Sequence, residues 1–154
     1  MNPLKFLVAL LILSSDSYSL ESISSQEKAL SEKLFSLKVR AILSSKCFSC
    51  HGSDNKIKGG LNLTSLNDLM RGGDSGEPSV APEKPDSSPL FLSVSRHQDS
   101  EWKAMPPKEN DKLTDSQIKT LYQWIKTGAQ WPDEKTQKSY IDKERSKKIT
   151  NEGV

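Results

Sequence analysis

The sequence predicts an all-α fold with long irregular loops, on three observations. Apolar residues recur at helical steps in two separate segments. A complete N-terminal capping signal opens the second of these. Between them, the run from Gly72 to Pro89 holds three Gly and four Pro, too many for a regular element. The 154 residues suit one domain. Only 34% are hydrophobic and 27% are charged, and 22 Lys and Arg against 20 Asp and Glu leave +2. That balance argues against a nucleic-acid partner, which calls for a clustered basic face. A chain this polar has little side-chain material for a core, so something else is expected to fill its centre. Two cysteines three positions apart exclude a framework of several disulfides.

Residues 1–19 read as a secretory signal. Lys5 precedes the apolar run Phe6–Leu13, and Ser17-Tyr18-Ser19 suits a small-x-small cleavage site. The run is too short for the roughly 20 apolar residues of a spanning helix. Asp16 and Ser19 are imperfect cleavage residues, which leaves a retained anchor as the alternative. The chain is therefore expected to be exported to the periplasm, with a soluble mature part.

Residues 20–28 read as a flexible, Ser-rich leader, 29–132 as the domain, and 133–154 as a charged tail, helical or disordered. From Ala29 to Leu43, Leu30, Leu34, Leu37, Ala41 and Ile42 trace one face of a helix. Leu61-Asn62-Leu63 alternates like a short extended strand. Thr64 or Ser65 caps a brief helix through Met70, stopped by Gly72-Gly73. Gly72–Pro89 is a long loop of the kind that wraps something. Pro89 opens a short helix to Ser95, and Arg96–Trp102 is a polar connector. Thr114 and Gln117 form a capping box before Ile118, Leu121, Tyr122 and Ile125, and Gly128 with Pro132 ends that helix.

Cys47-Phe48-Ser49-Cys50-His51 has the c-type haem attachment spacing. Two thiols on one turn of backbone can each add to a haem vinyl group, and the adjacent imidazole supplies an axial ligand. Rival readings use the same residues. A structural zinc site needs four ligands, and Cys47, Cys50, His51 and His97 are all the chain offers from Cys and His. A redox Cys-x-x-Cys expects a βαβ context that is not visible. A plain Cys47–Cys50 disulfide in a haem-free exported module is the remaining alternative. Covalent haem also accounts for the missing core material.

The second axial ligand has three candidates. Met70 lies in an amphipathic run with Leu63, Leu66 and Leu69 and reads as core filler. His97 lies in a polar stretch and reads as a surface residue. Met105 precedes Pro106-Pro107, which forbids helix and holds an extended backbone able to present sulfur opposite His51. Its other reading is an ordinary packing residue before a turn.

Taken in order, Cys47-x-x-Cys50-His51-Gly52, Lys58-Gly59-Gly60-Leu61-x-Leu63, Gly72-Gly73, Ser88-x-Leu90, Met105-Pro106-Pro107, Leu113-Thr114, Trp124-Ile125-x-x-Gly128-Ala129 and Trp131-Pro132 resemble the planctomycete-type cytochrome c domain. The resemblance covers roughly Phe35 to Pro132. It implies a small cytochrome c-like helical fold around one covalently attached haem c. It further implies thioether links from Cys47 and Cys50, with His51 and Met105 as proximal and distal iron ligands.

The expected function is one-electron transfer between redox partner proteins, without catalysis, because six-coordinate His/Met iron leaves no open position. A haem sensor or small haem enzyme with a displaceable Met105 is the alternative. With so few histidines a hydrolytic triad has little to work with. Trp124 and Trp131 pack either on the macrocycle or in an ordinary core.

Overall fold

Ser31, Phe35, Val39, Ile42 and Leu43 carry the long first helix into the core. In a computed structural model, which describes residues 24–52, 57–97 and 100–152, these are the buried positions of a continuous helix. It consists of α1 (24–34), a π turn at Phe35–Val39 and α2 (Arg40–Lys46). The π turn, marked by Arg40 N–H donating to the Phe35 carbonyl, adds a residue to one turn and changes the phase of the helix. The buried face is thus not the expected leucine stripe. Leu30 is 43% exposed and Ala41 is exposed, while Phe35 and Val39 are fully covered. Helix also begins inside the segment expected to be a flexible leader, at residue 24. The expected signal, 1–19, lies outside the described residues.

After the one-turn helix α3 (Phe48–His51), residues 61–63 are extended but pair with no strand, and no strand occurs among the described residues. Instead Leu63 N–H donates to the His51 carbonyl at 2.8 Å, so this segment serves as a strut under α3. Helix α4 (Leu66–Arg71) is capped by Ser65, whose hydroxyl accepts from Asp68 N–H at 3.1 Å. It stops at Gly72, where φ is 77° and a Cβ would run into the Glu77 carbonyl.

The Gly- and Pro-rich loop that follows is threaded through the molecule. Val80 is fully buried, and Glu83 N–H reaches the Ile125 carbonyl at 2.8 Å. Buried Ser88 holds the loop's base, accepting from Ala81 N–H at 2.9 Å and facing the Lys84 carbonyl at 2.9 Å. Helix α5 (Pro89–Ser95) starts at Pro89, as its fixed φ suits.

Helix α6 (Asp115–Lys126) has the full Thr114–Gln117 capping box and buries Leu121, Trp124 and Ile125. It ends on two left-handed residues, Gly128 and Ala129. Trp124 and Trp131 both pack on Phe35, with ring centroids 6.0 and 4.3 Å away. The side chains therefore do build an apolar core of their own, where α1, the π turn and α6 meet.

Ser31 ties this junction. Its hydroxyl donates to the Trp124 carbonyl at 3.2 Å and accepts from Gln130 N–H at 2.9 Å. Ser31→Ala leaves both groups without that partner in a site closed to water. A loss of about 1–3 kcal/mol is expected in urea unfolding.

The tail is ordered as α7 (Glu134–Glu152), so of the two expected states it takes the helical one. Asp133 accepts from Thr136 N–H at 2.7 Å at its start, which holds the Asp133 carboxyl below the usual range. Gln137 is buried between Arg40 (3.1 Å) and the Pro132 carbonyl (2.7 Å), and docks α7 on the π turn. Beyond it Lys138 pairs with Asp142 within the helix at 2.7 Å, and Glu144 pairs with Lys33 of α1 at 3.8 Å.

Candidate functional site

Helix α2 ends at Lys46, and Cys47 steps the chain into the single turn of α3. Cys47 N–H still donates to Leu43 at 2.9 Å, and the Cys47 carbonyl accepts from Cys50 N–H at 3.1 Å and His51 N–H at 2.8 Å. One turn of backbone thus carries both thiols and the imidazole. Gly52 must follow, because a Cβ there would collide with the Phe48 carbonyl. The His51 Nδ1 lies 3.3 Å from the Leu61 carbonyl. A carbonyl only accepts, so Nδ1 carries the proton and Nε2 is left with a free lone pair.

Both cysteines are free thiols. Burial pushes the Cys47 thiol up to about 11, and neighbouring Cys50 adds to the rise. Redox-active Cys-x-x-Cys pairs need the opposite, a lowered thiol pKa. Among the described residues, no three His, Cys, Asp or Glu side chains are grouped to hold a metal ion.

A cleft of about 890 Å³ opens beside this turn, a size typical of ligand sites. Cys47, Cys50 and His51 line one side of it, over Leu61 and Leu63. Helix α5 contributes Leu90, Ser93 and Val94, and the following loop adds Trp102, Met105 and Pro106. Met105 is half-buried, and its N–H donates to the Ser93 carbonyl at 3.0 Å. The Met105–Pro106 peptide is cis, and the segment bends where an extended run was expected. Its path is set by bonds to α5 and to Arg96, whose guanidinium donates to the Pro106 carbonyl at 2.7 Å.

The other ligand candidates stand elsewhere. Met70 lies on α4 outside the cleft and is 36% exposed, so its reading as core filler is corrected: Leu69 takes the inward position instead. Met70→Ala is expected to change stability by no more than about 0.5 kcal/mol in urea unfolding. His97 is exposed and outside the cleft. Neither Trp124 nor Trp131 lines it.

Two residues of the site were not singled out from the sequence, Trp102 and Arg96. A lone large aromatic inside a polar connector, three positions before Met105, was the available signal for Trp102. Nothing local marks Arg96, whose acceptors follow it by ten residues or more.

The donors present suit a flat apolar cofactor that brings its own metal: two thiols, an imidazole with a free nitrogen and a thioether surround one apolar-walled cleft. Residues 47–109, beginning on Cys47 itself, match the family model described as Planctomycete cytochrome C. That stretch is therefore similar to a planctomycete-type cytochrome c domain. The match spans about two-fifths of the chain and includes α3, α4, α5 and the Met105 loop. Such a domain implies haem binding. Comparison with curated proteins and with solved structures gave no match.

Proposed function

We propose that the protein is an exported mono-haem c-type cytochrome that carries single electrons between redox partner proteins. In this reading Cys47 and Cys50 hold the haem through thioether bonds, and His51 and Met105 are its axial ligands. The observation that carries the reading is that these four side chains, far apart in two groups along the chain, line one apolar cleft. When bound, the haem supplies a one-electron iron couple.

The chain's own residues do the rest. The Leu61 carbonyl orients the His51 ring by accepting from Nδ1. The neutral Met105 sulfur favours the ferrous state and raises the potential. Leu61, Leu63, Leu90 and Val94 keep water from the centre, which further disfavours the extra positive charge of the oxidised form. With His51 and Met105 both holding the iron, a bound haem would have no position left for a substrate.

Export rests on Phe6–Leu13 and the residues flanking it, and the periplasm is the proposed compartment. Among the described residues no helix is long and apolar enough to cross a membrane. The test is expression in cells that mature c-type cytochromes. An intact mass one haem above the processed chain, with a reduced-minus-oxidised haem spectrum, is expected; a mass equal to the bare polypeptide overturns the reading.

One observation favours a second reading. Met105 lies on a bent loop and is only half-buried, as a displaceable ligand of a sensor would be. Rapid carbon monoxide binding by the ferrous wild-type protein would favour that sensor, and slow binding favours the carrier.

A further inference from the structure

We propose that Arg96 is the positioning residue that holds the Met105 loop against the cleft and so sets how firmly the sulfur stays on the iron; this rests on Met105 being the distal ligand. Arg96 closes α5 in the left-handed conformation (φ 55°), which non-glycine residues adopt rarely. That turn delivers the guanidinium to the far side of the loop. One terminal nitrogen donates to the carbonyl of Pro106, the residue after Met105, at 2.7 Å. The other pairs with Glu109 at 2.7 Å, and Glu109 in turn accepts from Lys112 at 2.7 Å.

The residue before this anchor is tied to the same helix, since Met105 N–H donates to Ser93 at 3.0 Å. The loop is thus tied to α5 and its cap at the Met105 N–H and again at the Pro106 carbonyl, one peptide beyond the Met105–Pro106 bond. The same helix lines the cleft through Leu90, Ser93 and Val94. The Arg96 side chain is only 25% exposed and its bond to the Pro106 carbonyl is partly shielded, whereas Glu109 is 65% exposed and its pair with Arg96 is open to water. The Arg96 Nε is buried with no partner among the described residues, a cost the other donors must offset. The loop is also tied to α2 by Lys46 Nζ donating to the Asp111 carbonyl at 3.2 Å, in an exposed position. Arginine's two terminal nitrogens reach the Pro106 carbonyl and the Glu109 carboxylate from separate points of a planar fork, whereas a lysine places all its donors on one nitrogen.

The test uses the full-length haem-loaded protein. Met105→Ala is measured first, and loss of the far-red sulfur-to-iron charge-transfer band in the ferric form establishes the ligand. Arg96→Ala is then expected to keep wild-type far-ultraviolet circular dichroism and haem content. Its ferrous form should bind carbon monoxide roughly tenfold faster or more, the change a charge-assisted hydrogen bond supports. Arg96→Lys should fall between the two. In a Met105→Ala background, Arg96→Ala should change the rate by less than about twofold.

A rate within about twofold of wild type for Arg96→Ala overturns the proposal while leaving the ligand standing. Equal acceleration with and without Met105 overturns it too. A charge-transfer band that survives Met105→Ala sinks the ligand reading itself. Should Arg96→Ala fail to accumulate, Arg96→Lys decides alone: acceleration supports the lock, and an unchanged rate ends it.

Discussion

Met105→Ala, matured with its haem, is expected to keep the covalent adduct and lose the far-red charge-transfer band of the ferric protein. In the proposed reading attachment depends on Cys47, which caps α3, and Cys50, within it; neither makes a backbone bond to the Met105 loop, so removing the Met105 thioether leaves them untouched. The sixth position then falls to water or stays open. Ferrous protein should bind carbon monoxide quickly, and the potential should drop within the roughly 0.8 V span over which axial ligands set it. Spectra of both oxidation states, with an intact mass, check all three outcomes. Persistence of the band would exclude Met105. It would send the search to Met70, the other methionine of the described residues, which now stands half-exposed on α4 outside the cleft.

Trp124→Ala is expected to lower stability by about 3–5 kcal/mol. Trp124 is fully buried, lies 6.0 Å from Phe35 between ring centroids, and donates from Nε1 to the Gln130 carbonyl at 2.8 Å. Its removal opens a cavity where α1, the π turn and α6 meet, and orphans that carbonyl. Small domains are stable by only about 5–15 kcal/mol, so this one truncation removes a large share. Trp124→Phe keeps most of the packing and should cost less. Denaturant unfolding of the haem-loaded protein measures both. A loss below about 1 kcal/mol for Trp124→Ala would mean that the core lies elsewhere. The haem spectrum of the folded variant should match wild type, because Trp124 does not line the cleft.

The parts of the fold that were legible in the sequence are those a few neighbouring residues decide. The Thr114–Gln117 box, the Pro89 start and the Gly128 stop each act within one turn of chain and stand where they were read, and of the two caps read for α4, Thr64 and Ser65, the helix uses Ser65. The α1 face was misread because a π turn rephases the helix, which no stepping rule based on 3.6 residues per turn contains. The alternation of Leu61 and Leu63 was genuine, with Leu63 buried. An extended segment becomes a strand only if a partner lies beside it, and here the neighbour is the His51 carbonyl. Met70 was misplaced because membership of an amphipathic run does not say which residue the rest of the molecule covers.

From the sequence alone came the reactive pentapeptide Cys47–His51, the helical class and the list of sulfur and imidazole groups from which a second ligand must be drawn. Each is a matter of residue type and short spacing, which the backbone enforces locally. Only the folded molecule placed Met105 and Trp102 on the same cleft as His51, turned Met70 away from it, and put the Arg96 guanidinium on the Pro106 carbonyl. Those relations join residues distant along the chain. They depend on which helices pack together and on the path of the loops between them, and that is decided by the burial of the whole chain at once.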